Sequence, residues 1–196
     1  MKLLGVVGSL RRQSYNAQLM RAVAARLPDG VELEVFEGLR DVPPFDEQDR
    51  EATGAPAPVE AFRSALAQAD GILFATPEYN GSIPGQLKNA LDWASVPFEH
   101  NVLRNKPVAV IGTSTGMFGA VWAQADLRKV LGLIGARVLD RDTPIPLAET
   151  AFDADGALVA DYVEAVDEAV ADLVGLVEAR SAATAATMST AAAAVA

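Results

Sequence analysis

A chain of 196 residues, 51% of them apolar, is long enough to bury one sizeable core and reads most simply as one domain. It has no cysteine, which excludes disulfides, thiol catalysis, iron–sulfur clusters and cysteine-held zinc. Its single histidine, His100, reads as a surface loop residue and speaks against a histidine-rich metal site or a Ser-His-Asp triad. A net charge of −10 argues against non-specific nucleic-acid binding and requires any anionic ligand to be captured by local groups.

The chain opens on an apolar run, residues 2–8, too short for a signal segment and followed at once by a polar loop, so it reads as a buried strand. The loop Gly8-Ser9-Leu10-Arg11-Arg12-Gln13-Ser14-Tyr15-Asn16 leads into a helix that the spacing of Tyr15, Leu19, Val23 and Leu27 carries to about Leu27. Pro28-Asp29-Gly30 ends it, and residues 31–36 alternate as a half-buried strand. Residues 38–57, rich in Pro, Gly and Asp, predict a long loop, a length that in a compact domain often marks function. A helix over about 59–68 precedes the unbroken apolar strand Gly71-Ile72-Leu73-Phe74-Ala75-Thr76.

Then comes the stretch on which the rest is organised, Pro77-Glu78-Tyr79-Asn80-Gly81-Ser82-Ile83-Pro84-Gly85. Its prolines, glycines and asparagine hold it open as a loop before Leu87, Ala90, Leu91 and Trp93 begin a helical face. Residues 96–98 close that helix and the segment to Lys106 reads as exposed. Residues 107–112 predict another buried strand, Thr113-Ser114-Thr115-Gly116 a loop, 118–134 a helix, and 137–139 with 143–147 the last sheet segment. An amphipathic helix over 158–177 places Tyr162, Val166, Ala169, Val170, Leu173, Val174 and Val177 on one face. We divide the chain into a domain over 1–178 and an Ala/Ser/Thr-rich tail over 179–196, expected to fray because an isolated short helix is marginal in water. Alternating strands and helices predict an α/β fold with a parallel sheet, and in strand order 2-1-3-4-5 the loops after strands one, three and four converge at the switch point.

Each loop has a bland reading and a functional one. In the first, Ser14 is a helix N-cap and the arginines are solvated charges, or the helix N-terminus and Arg11 together hold a phosphate. It carries neither a dinucleotide GxGxxG nor a Walker motif. In the second, Tyr79 is an ordinary exposed aromatic, or it packs with neighbouring amide and carboxylate groups against a planar heterocycle. In the third, small hydroxyls and Gly116 make a plain turn, or they let backbone approach a ligand. All three along one sheet edge favour the functional reading.

The stretches Gly8-Ser9-Leu10-Arg11…Ser14-Tyr15-Asn16, Pro77 to Gly85, and Leu87-Lys88-Asn89-Ala90-Leu91-Asp92-Trp93 resemble those of the NAD(P)H-dependent FMN reductase family, which includes bacterial quinone and chromate reductases and azoreductase-like enzymes. The resemblance spans about residues 2–175. It implies a flavodoxin-like, doubly wound, five-stranded parallel sheet of order 2-1-3-4-5 and non-covalent FMN. Position by position, it implies that Ser9, Arg11, Ser14 and Asn16 hold the FMN phosphate, with Leu10 and Tyr15 in the same wrapping loop. It further implies that Pro77, Glu78, Tyr79, Asn80 and Gly81 line the isoalloxazine ring, and that Thr113, Ser114 and Gly116 border the ribityl chain and the far edge of the ring.

The activity implied is hydride transfer from NADPH or NADH through FMN to a quinone, free flavin, azo dye or oxyanion, with no obligatory acid or base side chain and no metal. A homodimer or homotetramer is implied, with the apolar residues around Trp93 and Trp122 as contacts, and Arg12 and Arg104 are candidates for a 2′-phosphate contact. The alternative is a flavodoxin-type one-electron carrier that binds redox partner proteins. The acidic surface suits it, but the first loop carries arginines where a flavodoxin has a Thr/Gly-rich phosphate signature. No apolar run approaches the roughly 18 residues that span a bilayer, and the expectation is a cytoplasmic protein without membrane or nucleic-acid partners.

Overall fold

The computed structural model describes residues 1–193. Its elements are β1 (Lys2–Val7), α1 (Tyr15–Ala24), β2 (Glu32–Phe36), α2 (Glu47–Thr53), α3 (Ala57–Gln68), β3 (Gly71–Thr76), α4 (Gly85–Ala94), β4 (Pro107–Thr113), α5 (Val121–Ile134), β5 (Arg137–Val138), β6 (Pro144–Ile145) and α6 (Ala160–Ala193). The sheet is parallel throughout and runs β2-β1-β3-β4-β5, the flavodoxin-like order expected. The fifth strand is split: β5 pairs with the start of β4 and β6 with its end, Thr113 opposite Ile145. The sheet thus has six strand segments where five are expected.

Side chains on a strand point alternately to opposite faces, and β3 shows both cores this makes. Ile72 and Phe74 enter one core with Val59, Phe62 and Leu66 of α3, Leu87 and Leu91 of α4, and Leu127 and Leu131 of α5. Leu73 and Ala75 enter the other with Leu19 and Val23 of α1 and Val166, Val170 and Leu173 of α6. A strand buried on both faces has no room for polar alternation, which is why residues 71–76 and 107–113 read as unbroken apolar runs. Gly71 is where α6 comes closest, since a Cβ there would lie 2.7 Å from Val177 Cγ2.

The register fixes the site. Val7 lies opposite Ala75, and Ala75 opposite Ile111, so the loops leaving β1, β3 and β4 depart from one level of the sheet.

Four expectations are corrected. Residues 38–57 are not one loop: a 3-10 turn over Gly38–Asp41 and helix α2 interrupt them. Residues 39–45 are held by polar side chains of α4, with Gln86 Nε2 donating to the carbonyls of Leu39 and Val42 and Asn89 Nδ2 and Trp93 Nε1 donating to that of Pro43. The segment before β4 is exposed only in part: residues 97–100, 104 and 105 are exposed, but Asn101, Leu103 and Lys106 are buried, and Lys106 Nζ donates to Ala67 O and Ala69 O at the end of α3. Trp93 is buried in the core and cannot serve a subunit contact. The tail continues α6 as helix to Ala193, although no residue over 178–188 is buried; residues 194–196 lie outside the described residues. Among the described residues, no helix is long and apolar enough to cross a membrane, and no group of His, Cys, Asp and Glu is placed to hold a metal ion.

Candidate functional site

Residues from all three loops line one cleft of about 130 Å³: Ser9, Arg11, Ser14, Tyr15 and Asn16 from the first, Pro77, Glu78 and Tyr79 from the second, and Thr113, Ser114 and Thr115 from the third. Of the other predicted site residues, Leu10, Asn80, Gly81 and Gly116 lie beside this cleft in sequence but do not line it.

The first loop ends where α1 begins. Ser14 is the N-cap, its hydroxyl accepting from Ala17 N at 3.3 Å, and the preceding N–H groups of Tyr15 and Asn16 belong to the first turn that a helix leaves unpaired. The Ser9 hydroxyl accepts from Arg11 N at 3.3 Å, and the exposed Arg11 guanidinium lies 5.7 Å from the Tyr15 ring centre. The buried Asn16 amide faces the third loop: Nδ2 donates to Thr113 O at 2.9 Å, and Oδ1 accepts from Thr113 N at 3.1 Å. Asn16 therefore joins loops one and three, and its backbone N–H is left open in the first turn of α1.

The second loop is docked onto α5. Tyr79 and Ser82 exchange both backbone hydrogen bonds across Asn80 and Gly81, whose φ values of 54° and 76° are those of a tight turn with two left-handed residues. Asn-Gly is the pair that reaches this geometry at least cost. One carboxylate oxygen of Glu78 accepts from Trp122 N and Ala123 N, each at 3.1 Å, and so caps the first turn of α5. That negative charge at a helix N-terminus is favourable, and the two N–H groups offset part of it. Ser82 Oγ donates to Asp126 farther along α5. Tyr79 stands half exposed beyond this anchored base.

The third loop is fastened to the chain around β6. Thr113 Oγ1 donates to Ile145 O at 2.8 Å, Ser114 N donates to the same carbonyl, and Ala148 N donates to Ser114 O. Gly119 passes so close to this strand that a Cβ would sit 2.5 Å from Ile145 N, and its φ of +57° is left-handed. Gln124, wholly buried, bridges the same region, donating to Gly119 O and accepting from Thr143 N. Sequence reasoning passes over Gln124 and Gly119; a glutamine on the apolar face of α5 is the one local hint of them.

These features fit a phosphate-bearing flavin. Open first-turn N–H groups, a guanidinium and hydroxyls converge, and the one carboxylate of the lining is held elsewhere. The cleft volume of about 130 Å³ is well below that of a pocket enclosing a whole cofactor-sized ligand, so it suits a phosphate and part of a chain.

Comparison with known proteins points the same way. Residues 1–150 match the family described as NADPH-dependent FMN reductase. The chain is 42% identical over 161 residues to an NAD(P)H-dependent FMN reductase of Pseudomonas aeruginosa, covering 82% of this chain and 85% of that one. It is 41% identical over 162 residues to a 2-hydroxy-1,4-benzoquinone reductase of a Burkholderia species, covering 82% and 87%. In structure it resembles FerB, a flavoenzyme NAD(P)H:(acceptor) oxidoreductase from Paracoccus denitrificans, with a TM-score of 0.79 and 34% identity over 90% of this chain and 97% of that one. With the loops, the sheet order and these relatives in agreement, the chain belongs to the NADPH-dependent FMN reductase family.

Proposed function

We propose that this FMN-dependent NAD(P)H oxidoreductase holds its flavin across the three loops, passing reducing equivalents to a quinone or free flavin. The chemistry that bound FMN supplies is two-electron transfer between NAD(P)H and the acceptor. The observation that carries the site is the convergence of three loops, far apart in sequence, on one cleft with an open helix N-terminus.

In this reading the N–H groups of Tyr15 and Asn16, the hydroxyls of Ser9 and Ser14 and the Arg11 guanidinium bind the phosphate. Leu10 and Tyr15 support the loop that wraps it. Asn16 and Thr113 act as positioning residues, locking loops one and three at a fixed separation. Pro77, Glu78, Tyr79, Asn80 and Gly81 present a stiff edge to the ring, with backbone N–H groups placed to stabilise negative charge. Glu78 contributes by keeping that edge on α5, and Ser114 and Gly116 border the chain between phosphate and ring. No side chain is assigned as obligatory acid or base; the proton comes from water. The relatives are named as reductases, which favours an enzyme over a one-electron carrier.

An exposed apolar surface lies beside the ring position. Phe118 and Trp122 pack at 4.9 Å between ring centres, next to the exposed Met117 and half-exposed Leu147. We assign this surface to contact with a second copy of the chain, in a dimer or tetramer. We place the protein in the cytoplasm, where NAD(P)H is generated.

The test is release and mass measurement of the cofactor, followed by steady-state assays with NADH and NADPH against benzoquinones and free FMN. FMN with turnover is expected. FAD, or no flavin retained after reconstitution, would overturn the reading.

A further inference from the structure

A second cleft lies on the other side of the first loop. It measures about 570 Å³ and opens at the carboxyl ends of β1 and β2, between α1 and the turn at 38–41. Ser9 and Arg11 line it as well as the phosphate cleft, so the two share a wall. Its floor is apolar, with Met20 and Leu39 buried and Val35 and Phe36 beside them.

Its rim is cationic. Arg11, Arg12, Arg21 and Arg40 all line it, four of the chain's 16 lysines and arginines, and Glu37 is the one carboxylate among the lining residues. A protein of net charge −10 has few cations to concentrate, and like charges brought together repel. Arg40 is fixed by donating to Leu10 O. Arg12 and Arg21 are exposed and carry no ion pair or side-chain hydrogen bond among the described residues, so their guanidinium groups are open to a ligand.

An apolar floor wide enough for a planar ring and a rim with two open guanidinium groups fit a heterocyclic base that bears a phosphate. A bare anion would leave the floor uncovered, and an uncharged ring would leave the arginines repelling one another. We propose that this cleft is the subsite for the adenosine 2′-phosphate end of NADPH, with Arg12 and Arg21 as the 2′-phosphate ligands. The proposal rests on the NAD(P)H oxidoreductase reading above, which supplies a co-substrate carrying such a group. Arg104, the other candidate from sequence, is placed elsewhere: it donates to Phe98 O, packs on the Phe98 ring and precedes β4, at the opposite end of that strand from the loops.

The experiment is calorimetric titration of the FMN-loaded protein with 2′,5′-ADP and with 5′-ADP, repeated on the Arg12→Ala/Arg21→Ala double variant and on Arg104→Ala. Both targeted arginines are exposed, and circular dichroism checks that the variants fold. We expect 2′,5′-ADP to bind the parent at least about ten-fold tighter, the scale of one charge-assisted hydrogen bond. The double variant should lose that preference and Arg104→Ala should keep it. The KM for NADPH should rise in the double variant by a similar factor, with a much smaller rise for NADH. Equal binding of the two nucleotides by the parent, or a preference that survives in the double variant, would overturn the subsite. Absence of turnover with either nicotinamide nucleotide would instead overturn the oxidoreductase reading, a result the titrations do not depend on.

Discussion

Arg11 and Arg12 are neighbours in sequence with different surroundings. Arg11 borders both clefts and lies against Tyr15, the first residue of α1, whereas Arg12 lines only the wider cleft. Arg11→Ala is expected to weaken FMN binding by about 1.5–3 kcal/mol, the range for hydrogen bonds to a charged group, and Arg12→Ala by much less. Flavin titration of the two apo-proteins checks the order; equal losses would contradict the division between the clefts. Asn16 acts differently, because its amide both donates to and accepts from the Thr113 backbone. Asn16→Ala leaves a buried N–H and a buried C=O without partners, at a cost of about 1–3 kcal/mol for each such group. Urea denaturation of the flavin-free protein should show that loss. An unchanged midpoint would mean that the third loop finds other partners.

At the scale of elements, charged side chains close the helix ends. Glu78 closes the start of α5, and Lys106 closes the end of α3 by donating to Ala67 O and Ala69 O. Cations are favourable at a helix C-terminus, and the lysine does this while almost fully buried. Burial pushes its pKa down, the nearby Arg180 adds to that, and Asp70 opposes it. With the folded-state value lowered, the folded chain holds fewer protons than the unfolded one in the alkaline range just below the ordinary lysine pKa. Stability from this group therefore rises as pH increases through that window. Lys106→Met should cost about 1–3 kcal/mol at neutral pH, through the two carbonyls it leaves bare. The gap between parent and variant should widen toward alkaline pH. Denaturant midpoints at neutral and alkaline pH decide this, and a narrowing gap would refute it.

For the whole molecule, Met117, Phe118, Trp122 and Leu147 form an exposed apolar surface outside the two cores either side of the sheet. It adjoins the second loop through the Glu78 cap on Trp122, so a second copy seated there would also border the flavin site. Trp122→Glu is expected to shift the protein to monomer in sedimentation experiments and to loosen FMN, while its circular dichroism stays native. Unchanged sedimentation would place the contact elsewhere. Buried Trp93 is no part of this surface; its indole N–H holds Pro43 and so orders the long connection after β2.

The sequence by itself determined the alternation of strands and helices and the three loops proposed to hold the flavin, while the order of the sheet came from the resemblance to a family. Doubly buried strands, helix-face spacing and clusters of Gly, Pro and Asn are local signals, read within a few residues of where they act. It also marked Asn89 and Trp93 as part of a motif without saying what they hold. Tertiary structure alone decided the tasks of the individual side chains. Asn16 meets Thr113 across 97 positions, Glu78 meets α5 across 44, and Gln86 meets Leu39 across 47. The clustering of Arg12 and Arg21 with Arg40 likewise depends on α1 lying beside the turn after β2. A hydrogen bond or a charge cluster depends on distance in space. Periodicity along the chain records which face a residue takes, and only packing brings the partners of that face together.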